Sequence, residues 1–587
     1  MKKQRKRIYA ALLCICMVFS LVSTPVSAEE TEQMPNPQTS TEELEPQESV
    51  SGNEAAAALN GLSVSVLAAN GVAEVTTATE LASALENVAN DTVKLTADIT
   101  IDTTLTVNRT VTLDLNGFVL QMTRSGSVIE VESGGNLTIV DSNTATPHYF
   151  TPNGDGLWVL DASGSKTVTG GIITGGTGMP PDTNYARGGG VYVSPGAALT
   201  MNGGSIVGCK AGSGGQGGGV QVAFGNNSSI ISTFTMNGGS ILGCTALLGS
   251  GVYVASACEF TMNHGSVIRN CTARMGGGVC IENTYSFGPG VFTMEGGEIS
   301  LCKAFFGGGI HNSGTFTMNG GTIKECDTDT TSWGGVYNSH QFTMNGGTIG
   351  AESGNDTSHV FNSDNSDAIL TISGNAKIYT NVVNSNKLNA DGGEVFGDVA
   401  NDSDAAITGA DGAAAGTRFS GAVTNDNKGT IEKGTFTGMV TNNAGMILGG
   451  DFSGATLSGS LVITFDPNNG EPLCTKEVLL GSDGATLTPP DPVPTKEGHS
   501  LDGWYYDNNG TETKWDFGTD KARYTMTLKA KWVIPTYSVT LHPNGGTIAS
   551  GKEVTGYTYG TGAVLPTADD ITREGYRFDG WYADSSF

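Results

Sequence analysis

Few residues in this chain have the types and spacing that chemistry requires. The best carboxylate cluster is Glu282, Glu295 and Glu298. Two carboxyl groups about 5 to 9.5 Å apart suit glycoside hydrolysis. Carboxylates on neighbouring repeats beside an Arg or Lys base suit Ca²⁺-assisted elimination from an acidic polysaccharide. Turn substitution is the simpler reading, because Glu295 stands where a recurring phrase has Asn and Glu298 where it has Ser or Thr. Asp398, Asp402, Asp404 and Asp411 have the ligand type for Ca²⁺ and equally the type for solvated turns. Of ten cysteines, Cys14 and Cys16 fall in an amino-terminal leader, and the rest show neither a CxxC pair nor a histidine cluster, so no metal site and no cofactor is expected. Tyr192, Gln221, Tyr253, Cys280, His311 and Tyr337 occupy one position in successive repeats. On an outer strand face they form a platform for a sugar chain, walled by inserts at 223–233 and 282–291. The competing explanation is the ordinary preference of tyrosine for exposed strand positions. A second rank, Leu247-Leu248, Met275, Phe305-Phe306 and Trp333, gives either an apolar patch for a protein partner or packing beneath adjacent turns.

The elements that must carry these residues follow from a repeat. Leu199-Thr200-Met201-Asn202-Gly203-Gly204-Ser205-Ile206 recurs with Phe in first place from Phe234, Phe260, Phe292, Phe316 and Phe342. The first five copies continue to Cys209, Cys244, Cys271, Cys302 and Cys326, and a Gly-Gly-Val-like phrase closes each unit. Three short strands with period-two alternation, separated by paired glycines, predict one coil of a right-handed parallel β-helix. Phe, Met and Ile then point inward and stack on their equivalents about 4.8 Å away, with the Thr between Phe and Met pointing out. Paired glycines supply the positive φ that sharp corners need. The cysteine rank reads as an inward ladder of free thiols, with disulfides between adjacent coils as the alternative. Ahead of the regular coils, Thr79 is the expected cap of a short helix with Leu81, Ala84, Leu85 and Val88 on one face, plugging the first coil. After Ile349 the unit shortens to Phe-x-Gly-x-Val-x-Asn, beginning at Phe419 and Phe436, with a copy one residue shorter from Phe396.

In this pattern Thr79 to Ser460 resembles the pectin-lyase-like right-handed parallel β-helix of bacterial surface proteins and adhesins. That resemblance implies a secreted surface protein and admits polysaccharide lyases and hydrolases as relatives. Beyond it, Val462-Ile463-Thr464-Phe465-Asp466-Pro467-Asn468-Asn469-Gly470 is echoed from Val539 to Gly546, and Glu497 to Tyr505 is echoed from Glu574 to Tyr582. The first copy closes with Leu528-Lys529-Ala530-Lys531-Trp532, and the second stops at Phe587 before such a strand. These segments resemble the internalin B-repeat (Listeria–Bacteroides repeat) family, which implies small β-grasp-like modules used in tandem as a stalk or adhesive unit. Trp504 and Trp581 are expected in their cores.

At the other end, Lys2, Lys3, Arg5, Lys6 and Arg7 precede an apolar run from Ile8 to Val22 and a small-residue site at Val26-Ser27-Ala28, the pattern of a cleaved secretory leader. Its removal moves the net charge from −28 to −33. So acidic a chain is unsuited to nucleic acid or anionic lipid. The 85 glycines lack the triplet period of collagen, and much of the excess belongs to coil corners between Gly170 and Gly347. The expected organisation is a leader at 1–28, a disordered acidic linker at 29–70, the β-helix at 71–460, and B-repeat modules at 461–535 and 536–587, the last of them truncated. The chain reads as a monomeric, all-β rod, secreted or held on a bacterial surface, with no membrane span after leader removal. It reads as a non-catalytic adhesin for glycans or proteins, with a β-helix polysaccharide lyase or glycoside hydrolase as the alternative.

Overall fold

The computed structural model describes residues 71–584 apart from 179–186, 213, 226–228, 285, 329–333, 354–355, 410–415 and 509. The leader, the acidic linker, Trp333 and Asp411 lie outside the described residues.

The chain winds as a parallel β-helix with three sheets. The first has fifteen strands, from Val72–Val75 to Met446–Ile447, and the second has thirteen, from Ile99–Ile101 to Thr435–Phe436. The third runs from Leu105–Val107 to the start of Thr456–Asp466. Every coil-to-coil pairing is parallel and in register, as in Phe234↔Phe260↔Phe292↔Phe316↔Phe342. Those five rings stack at 4.8, 4.7, 5.0 and 4.5 Å between centroids. Methionine, isoleucine and cysteine files fill the rest of the same continuous core. Alternation along each strand creates this core, since every second side chain must face inward.

The cysteines of the ladder are free and buried, as are Cys258 and Cys280, while Cys474 is exposed. Ladder thiols point at backbone carbonyls, for example Cys244 at Leu242 and Cys302 at Ser300. The helix spans Ala78–Glu86, and its N-cap is Thr77 rather than Thr79. Thr77 and Glu80 form a reciprocal capping box that fixes the start two residues earlier than expected. Leu81, Ala84 and Leu85 are buried against the first coil, whereas Val88 lies past the helix end and is 82% exposed.

Two features were absent from the sequence reading. Pro147–Pro152, Trp158–Leu160 and Lys166–Thr169 form a three-stranded antiparallel flap. Its Phe150, Trp158 and Val168 pack on Val119, Ile172, Val207 and Leu242, so it covers part of the outer face of the second sheet. The other feature is the junction with the first repeat, because the strand Thr456–Asp466 crosses the boundary expected at 460/461 without a break. Its first half pairs with the last coil, and its second half pairs antiparallel with Cys474–Leu479 and parallel with Met526–Val533. Met526–Val533 also pairs with Ser500–Asn508, which pairs in turn with Thr511–Lys514. The first repeat is therefore a mixed sheet rooted in the solenoid. In the second repeat the described pairings are Thr536–Ser538 with Gly556–Thr558 and Thr547–Ile548 with Ile571–Thr572.

Candidate functional site

The rank expected to form an open platform does lie on the outer face of the third sheet, in register from Glu130 through Tyr192, Gln221, Tyr253, Cys280, His311 and Tyr337 to Phe361. It is not open. Tyr253, Cys280, Gln221 and His311 are only 1%, 3%, 6% and 6% exposed, and Tyr192 and Tyr337 are half-buried. The cover comes from the turn that enters each third-sheet strand. Gly249, Gly276 and Gly307 take φ of +56°, +63° and +60° there. Each passes so close to the backbone at Tyr253, Cys280 or His311 that a Cβ would clash. Only glycine tolerates both the conformation and the approach. These turns stack on one another through Leu248, Met275 and Phe306, so the second apolar rank is in part the lid of the first. Leu247 and Phe305 remain exposed on it.

Beneath that lid the polar groups are neutral or paired. Burial lowers the His311 pKa to about 4 and raises that of Tyr337 to about 12. His311 stacks on Tyr337 with centroids 5.1 Å apart, and Tyr337 on Phe361 at 5.4 Å. The Tyr253 hydroxyl donates to Glu282, whose own pKa is raised by burial. At the edge of the rank Arg187 lies over the Tyr192 ring and pairs with Glu130.

The three candidate glutamates belong to three different places. Glu282 follows the third-sheet strand Val279–Ile281 and is engaged with Tyr253. Glu295 sits in the turn after the first sheet and accepts from Asn319 Nδ2 at 2.8 Å. Glu298 begins a second-sheet strand and is ion-paired to Arg269 and, at 2.9 Å, to Lys324. Burial opposes its ionisation, yet the bonds from Lys324, Ser300 and Arg269 outweigh it and hold the carboxyl at about 2. A group so acidic cannot act as a general acid near neutrality. The acidic residues of the shortened coils are likewise used locally. Asp398 accepts from Ala422 N, Asp402 from Ser385 Oγ, and Asp404 lies 3.8 Å from Lys428. Among the described residues, no three His, Cys, Asp or Glu side chains are grouped to hold a metal ion.

The sequence reading missed two asparagine files. One is buried, with Asn312, Asn338, Asn362, Asn384, Asn401 and Asn425 each donating its Nδ2 to the next Oδ1 at 2.7–2.8 Å, and Asn442 accepting the last of these bonds and donating to backbone carbonyls. The signal was present as Val-x-Asn in the shortened repeat. The other is exposed at the end of the first sheet, where Asn263 donates to Asn237, Asn237 to Asn202, and Asn345 to Asn319.

In the first repeat Trp504 is buried edge-on against Phe465, with centroids 5.1 Å apart, in the core role expected of it. The Asp-Gly-Trp-Tyr phrase makes the same clasp twice, Tyr505 to Asp502 and Tyr582 to Asp579. Residues 462–531 and 537–587 match the family model described as the Listeria-Bacteroides repeat domain. The carboxy-terminal segments are Listeria-Bacteroides repeats. Residues 72–169, which hold the helix, the first coils and the flap, match the model described as "Putative pectate lyase-like adhesive domain". The chain thus combines a match to an adhesive-domain model with repeats similar to those of an internalin.

Similar curated proteins include a "Putative Gly-rich membrane protein" and a "Putative membrane protein" of Evansella cellulosilytica, 40% and 39% identical over 122 residues. Internalin H of Listeria monocytogenes is 40% identical over 91 residues. The aligned stretches cover 21%, 21% and 15% of this chain and only 13%, 17% and 15% of those proteins. No solved structure matches the chain. Among the described residues, no helix is long and apolar enough to cross a membrane.

Proposed function

We propose that this protein is a secreted bacterial surface adhesin, a non-catalytic β-helix rod that binds glycans or surface proteins through a lateral face and is carried on Listeria-Bacteroides repeats. The observation that carries this reading is the presence in one chain of an adhesive-domain match at the head of the solenoid and two internalin-type repeats beginning at its tail. The basic and apolar amino terminus supports export. The engagement of Glu282, Glu295 and Glu298 with separate partners supports a binding role over hydrolysis or elimination. Display of many weak contacts along a rod raises avidity without any one tight site. The test is retention of the purified chain on a glycan array and on whole cells, run beside assays for new reducing ends and unsaturated uronate. Retention without product supports the adhesin, and product formation supports the lyase or hydrolase alternative.

A further inference from the structure

The three outer faces of the solenoid are unequal. The second sheet carries the flap over part of its face and charged pairs farther along it. The third lies under its own turns. The first sheet presents an unbroken file of threonines, Thr112, Thr138, Thr200, Thr235, Thr261, Thr293, Thr317, Thr343 and Thr371, paired in register from coil to coil. All are half-buried side by side. Two residues on, in the same outward direction, runs the second file of Asn202, Asn237, Asn263, Glu295, Asn319, Asn345 and Ser373. Among the described residues the hydroxyls of Thr200, Thr235, Thr261, Thr293, Thr317 and Thr343 have no protein hydrogen-bond partner.

We infer that this Thr-x-Asn face is the glycan-binding surface, and that its ligand is an extended, uncharged polysaccharide lying along the rod. The inference rests on the adhesin reading and places its site on the first sheet instead of the third. Each rung from Thr200 to Thr343 offers a free hydroxyl, and each asparagine, once it has made its bond along the file, keeps an amide hydrogen and an oxygen lone pair for a ligand. Amide-to-amide bonds fix the rotamers of the file in advance, which lowers the ordering cost of binding. Neither file contains an apolar anchor of the kind that dominates protein interfaces. The one charge in them is Glu295, and the outward file two residues before the threonines adds exposed Glu259, so an anionic polymer finds no complementary field. A translational repeat of neutral donors and acceptors matches a polymer whose hydroxyls also repeat.

The test is affinity electrophoresis of the full chain in gels holding hydroxyethylcellulose, soluble starch or polygalacturonate. The expected result is retardation by an uncharged polymer. Simultaneous Thr235→Val, Thr261→Val and Thr317→Val, which keep shape and strand preference, reduce that affinity about tenfold or more because three hydrogen bonds are lost together. Serine at the same three positions retains the binding. A valine variant that folds normally by circular dichroism and binds like the parent overturns this site while leaving the adhesin reading intact. A parent chain retarded by polygalacturonate alone overturns the inference and leaves the glycan reading standing, whereas a parent retarded by none of the polymers overturns both the inference and the glycan part of that reading.

Discussion

His311 lies beneath the turn at Gly307, and burial holds it neutral with a pKa near 4, below the value of about 6.5 for an unfolded histidine. Because the unfolded chain binds the proton more readily, this side chain's contribution is complete above about pH 6.5 and is lost as pH falls toward 4. The shift corresponds to about 3 kcal/mol at full protonation. Urea unfolding at pH 7 and pH 4.5 is expected to show that loss, and His311→Gln to remove a large part of the difference. The thiols offer a second test at this scale. Burial raises the Cys258 pKa to about 11, and the ladder sulfurs lie against backbone carbonyls and one another. With residues 1–28 removed, a thiol reagent is expected to label Cys474 rapidly and the seven buried cysteines only after denaturation. Fast labelling of several native thiols contradicts the ladder. The inward position of these cysteines was legible from their fixed place after Ile. The burial of Tyr253 and His311 was not, because alternation tells which face a side chain takes and is silent on what covers that face.

Within the coils, files of identical residues do the holding. Phe292 is stacked between Phe260 and Phe316, so Phe292→Ala opens a cavity in a packed column and is expected to cost about 3–5 kcal/mol. Asn362 donates to Asn384 Oδ1 at 2.8 Å and to Lys387 O at 2.9 Å and accepts from Asn338. Asn362→Leu strands those partners in a dry interior and is expected to cost roughly 1–3 kcal/mol, measured as a lowered urea midpoint. A change within error at Asn362 removes the buried file as a source of stability. The sequence exposed the hydrophobic files plainly, since Phe-Thr-Met repeats almost unchanged. The asparagine file was written just as regularly, but asparagine is commoner in turns than in cores, and that prior hid it. The flap was illegible for a different reason: Pro147 to Thr169 occurs once, so no repetition marks it, and its apolar residues pack against outward positions that alternation assigns to solvent.

At the scale of the molecule, the continuous strand Thr456–Asp466 joins the solenoid to the first Listeria-Bacteroides repeat, and Thr525 and Tyr524 hydrogen-bond back to Ile447 and Gly450 of the last coils. The repeat closes the open edge of the solenoid, the end that would otherwise template association. Far-ultraviolet dichroism of the solenoid and tryptophan fluorescence of the first repeat are therefore expected to report one transition. Two separated transitions would show that the junction is a hinge. The central claim, that this rod binds without catalysis, is met most directly by incubating the purified chain with polysaccharides and surface extracts while recording both retention and released product. The account predicts saturable retention with no growth in reducing ends or unsaturated uronate. Time-dependent product that disappears with Glu282→Gln or Glu298→Gln would contradict it.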